Sequence, residues 1–262
     1  MSGKKTINTV NSNGGNNPGA DCRGGDRDAI IRKTRDDYNR IAASFAGTRE
    51  IIWPEMDRLK PLLRHGQVIM DWGCGNGRLL EILEGKTITY YGLDQSAELI
   101  KIARKRLHDV TSTKKQVSFI CTAEEEQSFP DRFFDLVFMI ASLHHLPDSA
   151  SRTGLLAKMY RQIKPGGRLI IIVWNLFSSW AENKIRRHSW KRIGEHDFLI
   201  PWKNSDRTVV CERYYHRFSM SEMRDLLEET GFATETLEYS GTGDSTVGPE
   251  EGRNLIAVAV KR

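Results

Sequence analysis

The stretch Asp71-Trp72-Gly73-Cys74-Gly75-Asn76-Gly77 sits where an apolar strand hands over to a helix. At such a junction glycines let the backbone approach a ligand, and the helix N-terminus offers free N–H groups. The spacing decides between ligands. A dinucleotide fingerprint needs Gly-x-Gly-x-x-Gly, whereas here the glycines are Gly73, Gly75 and Gly77, and Arg78 stands where the last glycine belongs. A phosphate loop is excluded as well, because no Gly-Lys-Ser/Thr closes the run. Asp94 ends the next apolar stretch, and an acid roughly 20 residues beyond the first glycine can accept both hydroxyls of a ribose. An adenosine without a pyrophosphate satisfies both observations. The plainer alternative is a tight turn that only packs helix on strand, and the added acid weighs against it.

Positioning such a loop requires a wound α/β core, and the chain is built to supply one. Its 262 residues, 39% hydrophobic and 28% charged, suffice for one well-buried core but not for two large domains. Residues 1–27, rich in Gly and Asn, cannot bury enough surface to offset their ordering entropy and read as a disordered tail. From Asp28, Ile30, Ile31, Tyr38, Ile41, Ala42 and Phe45 recur at helical spacing until Gly47. A second, short helix starts at Pro54 and is bent or ended early by Pro61. Apolar strands are expected over 67–72, 88–94, 116–121, 134–140 and 167–174, with helices over 77–84, 96–107 and 151–163. That alternation is the pattern of a parallel sheet with crossover helices on both faces. Residues 176–217 hold no clear strand and read as an insertion over the sheet, within a domain spanning 28–262. A helix over 219–230 stops at Gly231, and strands 232–239 and 253–261 suit an antiparallel hairpin.

Composition narrows the partners. Lys and Arg (39) exceed Asp and Glu (34), a formal charge of +5 that permits a polyanionic partner without demanding one. The four cysteines form no CxxC pair, so neither a metal site nor a disulfide framework is indicated. No run approaches the roughly 18 apolar residues of a membrane span, and the N-terminus lacks a signal-peptide core, so the expectation is a cytoplasmic protein.

At the glycine loop and Asp94 the chain resembles the class I S-adenosylmethionine methyltransferases. Phe134 to Ile140 followed by Ser142-Leu143-His144-His145-Leu146-Pro147-Asp148 is similar to that family's fourth motif, and Lys164-Pro165-Gly166-Gly167-Arg168 to its turn into the fifth strand. The resemblance covers about residues 35–261. It implies a doubly wound, mainly parallel seven-stranded sheet of the Rossmann-like methyltransferase kind, ending in an antiparallel hairpin. It also implies S-adenosylmethionine as cofactor. Gly73, Gly75 and Gly77 would hold its methionine part and Asp94 its ribose. Asp71, Gln95 and Ile140 complete the expected site. Ala123 and Glu124 would face the adenine, although Thr122 occupies the place where the family commonly has an acid.

Several segments outside that site resemble a narrower group, the tRNA wobble-uridine carboxymethyl methyltransferases. They are Tyr38-x-x-Ile41-Ala42-x-x-Phe45, Thr48-Arg49, Trp53-Pro54, the run 197–203 and the run 212–218. The resemblance implies methyl ester formation on a carboxymethyl group of tRNA, in the anticodon loop, with a small zinc-binding activator protein as a further partner. A carboxylate with a pKa of about 4 is already ionised at neutral pH, so its attack on a sulfonium methyl needs no strong base. It needs alignment, for which a bidentate arginine is suited. Arg49 and Arg213 are the candidates, set against ordinary surface or structural ion pairs. His144 and His145 end the fourth strand, where ligands sit in such sheets. One is expected to touch the acceptor, the other to be structural.

The basic residues Lys184, Arg186, Arg187, Lys191 and Arg192 are interleaved with aromatic rings, Trp190 among them. Such a stretch can hold RNA phosphates while rings stack on unpaired bases; a solvated lid helix is the bland alternative. Trp202, Tyr214 and Tyr215 either stack on a base or form the insertion's own small core. Two further readings stay open. His144 to Asp148 also suits a methyltransferase for a small carboxylic, phenolic or amine metabolite, and the same fold can serve a non-catalytic binding protein.

Overall fold

A computed structural model describes residues 24–49, 53–109, 115–125, 127–241 and 246–262. Helix α1 (Gly24–Gly47) and a 3-10 segment (Pro54–Leu62) precede the core. Then follow β1 (Val68–Trp72), β2 (Ile88–Asp94), α2 (Ala97–Asp109), β3 (Lys115–Cys121), β4 (Phe134–Ile140), α3 (Ser149–Gln162) and β5 (Ile163–Trp174). The remainder runs α4 (Ser179–Arg186), β6 (Lys191–Arg192), β7 (Asp197–Lys203), β8 (Val209–His216), α5 (Met220–Glu229), β9 (Ala233–Ser240), β10 (Thr246–Val247) and β11 (Asn254–Val260).

The main sheet has the order β10-β9-β11-β5-β4-β1-β2-β3. Strands β1 to β5 pair in parallel, and β11 enters antiparallel between β5 and β9. The expected seven-stranded sheet with a terminal antiparallel pair is therefore present, extended at one edge by the two-residue β10. Alternation along the strands makes the sheet apolar on both faces. Val137, Met139, Ile171 and Val173 meet Leu156 and Met159 of α3 and Met223 and Leu227 of α5. Leu136, Phe138, Ile170 and Ile172 turn the other way, toward Met56, Leu59, Ile100 and Ala103. Side-chain caps fix the helix starts: Asp148 accepts the Ser151 N–H at the head of α3, and Ser219 accepts the Glu222 N–H at the head of α5. The chain builds β1, β2 and β3 outward in one direction and β4 and β5 in the other, so the strand order reverses between β1 and β4. Ligands bind at the carboxyl ends of strands beside such a switch point.

Three expectations are corrected. The helix over 77–84 is a single 3-10 turn, Arg78–Glu81. Gly77 and Gly85, both in the left-handed region with φ of 75°, bracket it too closely for a full helix. Residues 176–217 do contain strands: β6, β7 and β8 form a separate antiparallel sheet with Trp190, Phe198, Ile200 and Tyr215 as its core. Its alternation is hidden because the inward position 213 is an arginine and β7 contains Pro201. The tail assignment lies outside the described residues for 1–23, and Gly24 to Arg27 are already helical.

Candidate active site

The cleft opens where β1, β2 and β4 end, and α1 lies across it. After β1 the backbone turns back on β2: the Gly73 and Cys74 N–H groups both donate to the Leu93 carbonyl, at 2.7 and 2.9 Å. All three loop glycines have positive φ, but for different surroundings. A Cβ on Gly73 would lie 2.4 Å from Ser142 Cβ, and one on Gly77 would lie 2.8 Å from Phe119 Cζ. Those two glycines permit close packing. Gly75, with φ of 56°, would meet only Phe45 at 3.8 Å, so its backbone faces the open cleft. Gly77 does not line the cleft, whereas Gly73 and Gly75 do.

Two carboxylates stand at the strand ends. Asp94 accepts the Gly75 N–H at 2.9 Å on one oxygen and the Ser96 N–H at 2.8 Å on the other. Burial nevertheless raises its pKa, against the lowering effect of those backbone donors. Asp71 receives a hydrogen bond of 2.7 Å from the Tyr90 hydroxyl, and burial pushes its pKa up to about 7, with Asp94 adding repulsion. Desolvated acids beside backbone that accommodates close approach fit a cationic ligand bearing hydroxyls. Gln95 and Ile140 also line the cleft. Ala123 and Glu124 do not: both are exposed on the turn after β3, and Thr122 is the residue of that segment that lines the cleft.

Close to the glycine loop, where Asn76 Nδ2 donates to the Arg49 carbonyl at 3.4 Å, the cleft also has a basic and aromatic wall. Arg49 lines it beside the Phe45 ring, 5.1 Å from the centroid, and its guanidinium donates only long bonds of 3.3 Å to Thr48. Burial lowers its pKa, as does the neighbouring Arg213. Arg213 sits one layer behind, only 2% exposed, among the rings of Tyr38, Trp202 and Tyr215 at 5.5, 5.1 and 5.3 Å. Its Nη1 donates to the Tyr38 hydroxyl at 3.1 Å and its Nε has no partner. Among the described residues, no carboxylate pairs with either arginine. Buried charges are normally paired, so this wall of the cleft suits an anion.

The paired histidines separate in role. His145 lines the cleft, and its Nδ1 lies 2.7 Å from the Tyr214 carbonyl, which can only accept. Nδ1 therefore carries the proton, and Nε2 accepts from the Tyr38 hydroxyl at 2.8 Å. Burial holds its pKa down at about 3, so the ring is neutral. His144 is buried behind it, 4.6 Å from the Tyr215 ring centroid, and does not line the cleft.

The basic stretch is distributed over α4 and β6. Arg186, Arg187, Lys191 and Arg192 are exposed and Lys184 is half-buried; Arg192 also donates to the Gly194 and Glu195 carbonyls. Its ring Trp190 is buried, between Trp174 and Trp180. Tyr214 is buried too, its hydroxyl held by Pro147 and Asp197, so neither ring offers a face to a base. Tyr215 lines the cleft, and Trp202 is half-buried with its indole N–H on Ser44. Sequence reasoning assigned no role to Tyr38 and Trp174, which also line the cleft. The helical spacing of Tyr38 could have suggested a core face, and nothing marked it as facing a ligand.

Residues 45–237 match the family described as Methyltransferase domain. The chain belongs to that family: it is an S-adenosylmethionine-dependent methyltransferase. Among curated relatives, a Schizosaccharomyces pombe protein named tRNA (carboxymethyluridine(34)-5-O)-methyltransferase is 27% identical over 74% of this chain and 86% of its own length. An Arabidopsis thaliana protein of the same name is 34% identical over 52% of this chain, a match taking in only 31% of that protein. The fold is shared with a Methanosarcina mazei methyltransferase structure (TM-score 0.61, 22% identity, 80% of this chain and 98% of that one). It is also shared with a Haloferax volcanii chain solved in a complex of the Trm112 methyltransferase activator and a methyltransferase (TM-score 0.60, 18% identity, 87% and 96%). Among the described residues no helix is long and apolar enough to cross a membrane.

Proposed function

We propose that the chain transfers a methyl group from S-adenosylmethionine to the carboxymethyl carboxylate of a wobble uridine in tRNA, forming a methyl ester. The observation that carries this reading is that one cleft holds both kinds of charge: buried acids at the ends of β1 and β2, and Arg49, just after α1, backed by Arg213 of β8, neither of which pairs with a carboxylate among the described residues. When bound, the cofactor supplies a methyl on a cationic sulfur, activated for in-line attack. Asp94 takes the ribose hydroxyls, while Gly73 and Gly75 give the methionine part its backbone contact. Asp71, buried in the same cleft, would offset the cofactor's positive charge. Arg49 orients the acceptor carboxylate through two parallel donors. Arg213, positively charged and one layer back, fixes the Tyr38 hydroxyl and adds to the positive potential. The neutral His145, already hydrogen-bonded at both nitrogens, is not poised to remove a proton, and a carboxylate nucleophile has none to lose.

On this reading residues 176–217 form the substrate side, and Lys184, Arg186, Arg187, Lys191 and Arg192 contact RNA phosphates. The names of the curated relatives support a tRNA acceptor, and the archaeal complex supports a small activator as partner. The test uses methyl-labelled cofactor and tRNA bearing carboxymethyluridine. Label should enter the tRNA and leave on mild alkaline treatment, as an ester requires. Alkali-stable label would place the methyl on a ring or ribose atom and overturn the ester assignment.

A further inference from the structure

Trp180 differs from the other rings around the small sheet. It is 57% exposed at the start of α4, whereas its neighbour Trp190 is 7% exposed. A solvent-facing indole of that size leaves apolar area in water that a partner could cover. Its surroundings state which kind. Lys184 Nζ lies 5.7 Å from the ring centroid, and positions 180, 184 and 187 fall on one helical face, so Arg187 continues the same line. The acid of this helix, Glu182, is taken by Arg217. No carboxylate pairs with Lys184 or Arg187 among the described residues.

The ring is also the outer end of a chain of aromatic contacts that leads into the cleft. Trp180 meets Trp190 edge-on at 5.1 Å, and Trp190 stacks with Trp174 at 6.5 Å. Trp174 meets Tyr215 at 5.2 Å, and Tyr215 meets His145 at 4.6 Å. Trp174, Tyr215 and His145 line the cleft. A nucleotide whose substituent enters the cleft must leave its stack, and its neighbour in the strand loses a stacking partner in the same event. We propose that Trp180 is the surrogate stacking platform for an unpaired base neighbouring the acceptor nucleotide, with Lys184 and Arg187 on the flanking phosphates. This rests on the reading of the acceptor as an RNA loop and adds the residue that grips the strand outside the cleft.

The full chain and its Trp180→Ala and Trp180→Phe variants would be titrated with a stem-loop RNA whose loop contains unpaired uridines, by fluorescence anisotropy, and with S-adenosylmethionine by calorimetry. A base stacked on an aromatic ring accounts for roughly a fivefold to hundredfold change in affinity. Trp180→Ala should therefore lose at least fivefold in RNA affinity and Trp180→Phe should retain most of it. Cofactor affinity should be equal in all three, which also reports an intact fold. If the unaltered chain binds the RNA and Trp180→Ala binds it equally well, the stacking assignment is overturned and the exposed ring belongs to a protein partner. If the unaltered chain binds no RNA, the acceptor reading itself fails and this inference falls with it.

Discussion

Asp71→Asn isolates the cost of burying a charge in the cleft. In the folded chain burial raises the Asp71 pKa from 3.8 to about 7. A raised carboxyl pKa means that ionisation opposes folding: no cost arises below the unfolded value of 3.8, it grows as pH rises, and it is complete above about 7. At 1.36 kcal/mol per unit, a shift of about three units corresponds to roughly 4 kcal/mol of ionisation cost in the folded chain at pH 8. Asparagine removes the charge and keeps an oxygen to accept the Tyr90 hydroxyl, which now donates at 2.7 Å. The variant should gain about 1–4 kcal/mol at pH 8, part of the gain being offset by desolvation of the new amide. Near pH 4 it should gain almost nothing. Thermal unfolding without cofactor at the two pH values reads this difference directly. Cofactor titration supplies the other half: affinity of the native chain should fall as pH drops below about 7, and the variant should bind weakly with little pH slope. An Asp71→Asn protein that is equally destabilised at both pH values, or that binds cofactor with native affinity, would refute the reasoning.

Gly75→Val should abolish cofactor binding by calorimetry, because the position combines a φ of 56° with a face open to the cleft. Asp94→Ala should do the same, since it removes the ribose acceptor and frees the Gly75 and Ser96 N–H groups. Arg49→Lys should fail nearly as badly as Arg49→Ala in single-turnover methylation, by about 1.5–3 kcal/mol or tenfold to more than a hundredfold in efficiency, because lysine cannot align both carboxylate oxygens. Its cofactor affinity should stay near normal; full activity of Arg49→Lys would overturn the clamp assignment. Changing Lys184, Arg186, Arg187, Lys191 and Arg192 to Ala should weaken tRNA binding and flatten its dependence on salt, since fewer counterions are released. An unaltered slope would return the stretch to a solvated surface.

The parallel core was legible because strands buried on both faces are written as unbroken apolar runs, and β2 and β4 lie where those runs place them. The glycine loop and Asp94 were legible because their chemistry is local and their spacing fixed. The small sheet was not. Arg213 occupies an inward position of β8, and a charged residue there breaks the alternation by which a half-buried strand is recognised. What permits it is long-range: rings from α1, β7 and β8 that no local pattern brings together. The same limit applies to the aromatic stretch, where Trp190 is buried because it packs with Leu176, Phe198 and Tyr215 and against Trp174 of β5, contacts that no local pattern announces. Thr122, set against Ala123 and Glu124, shows the limit at one residue, since the turn after β3 decides which of three consecutive side chains faces the cleft.

The most direct measurement is mass spectrometry of the wobble nucleoside after incubation of tRNA carrying carboxymethyluridine with the protein and S-adenosylmethionine, with and without the proposed activator. Conversion of the carboxymethyl nucleoside to its methyl ester, lost in Arg49→Ala and Asp94→Ala alike, is the result predicted by a cleft that offers acids to a cationic donor and arginines to an anionic acceptor. Turnover of the cofactor on tRNA in which that carboxylate is blocked as an amide, with the unblocked tRNA left unmethylated at the carboxylate, would contradict it.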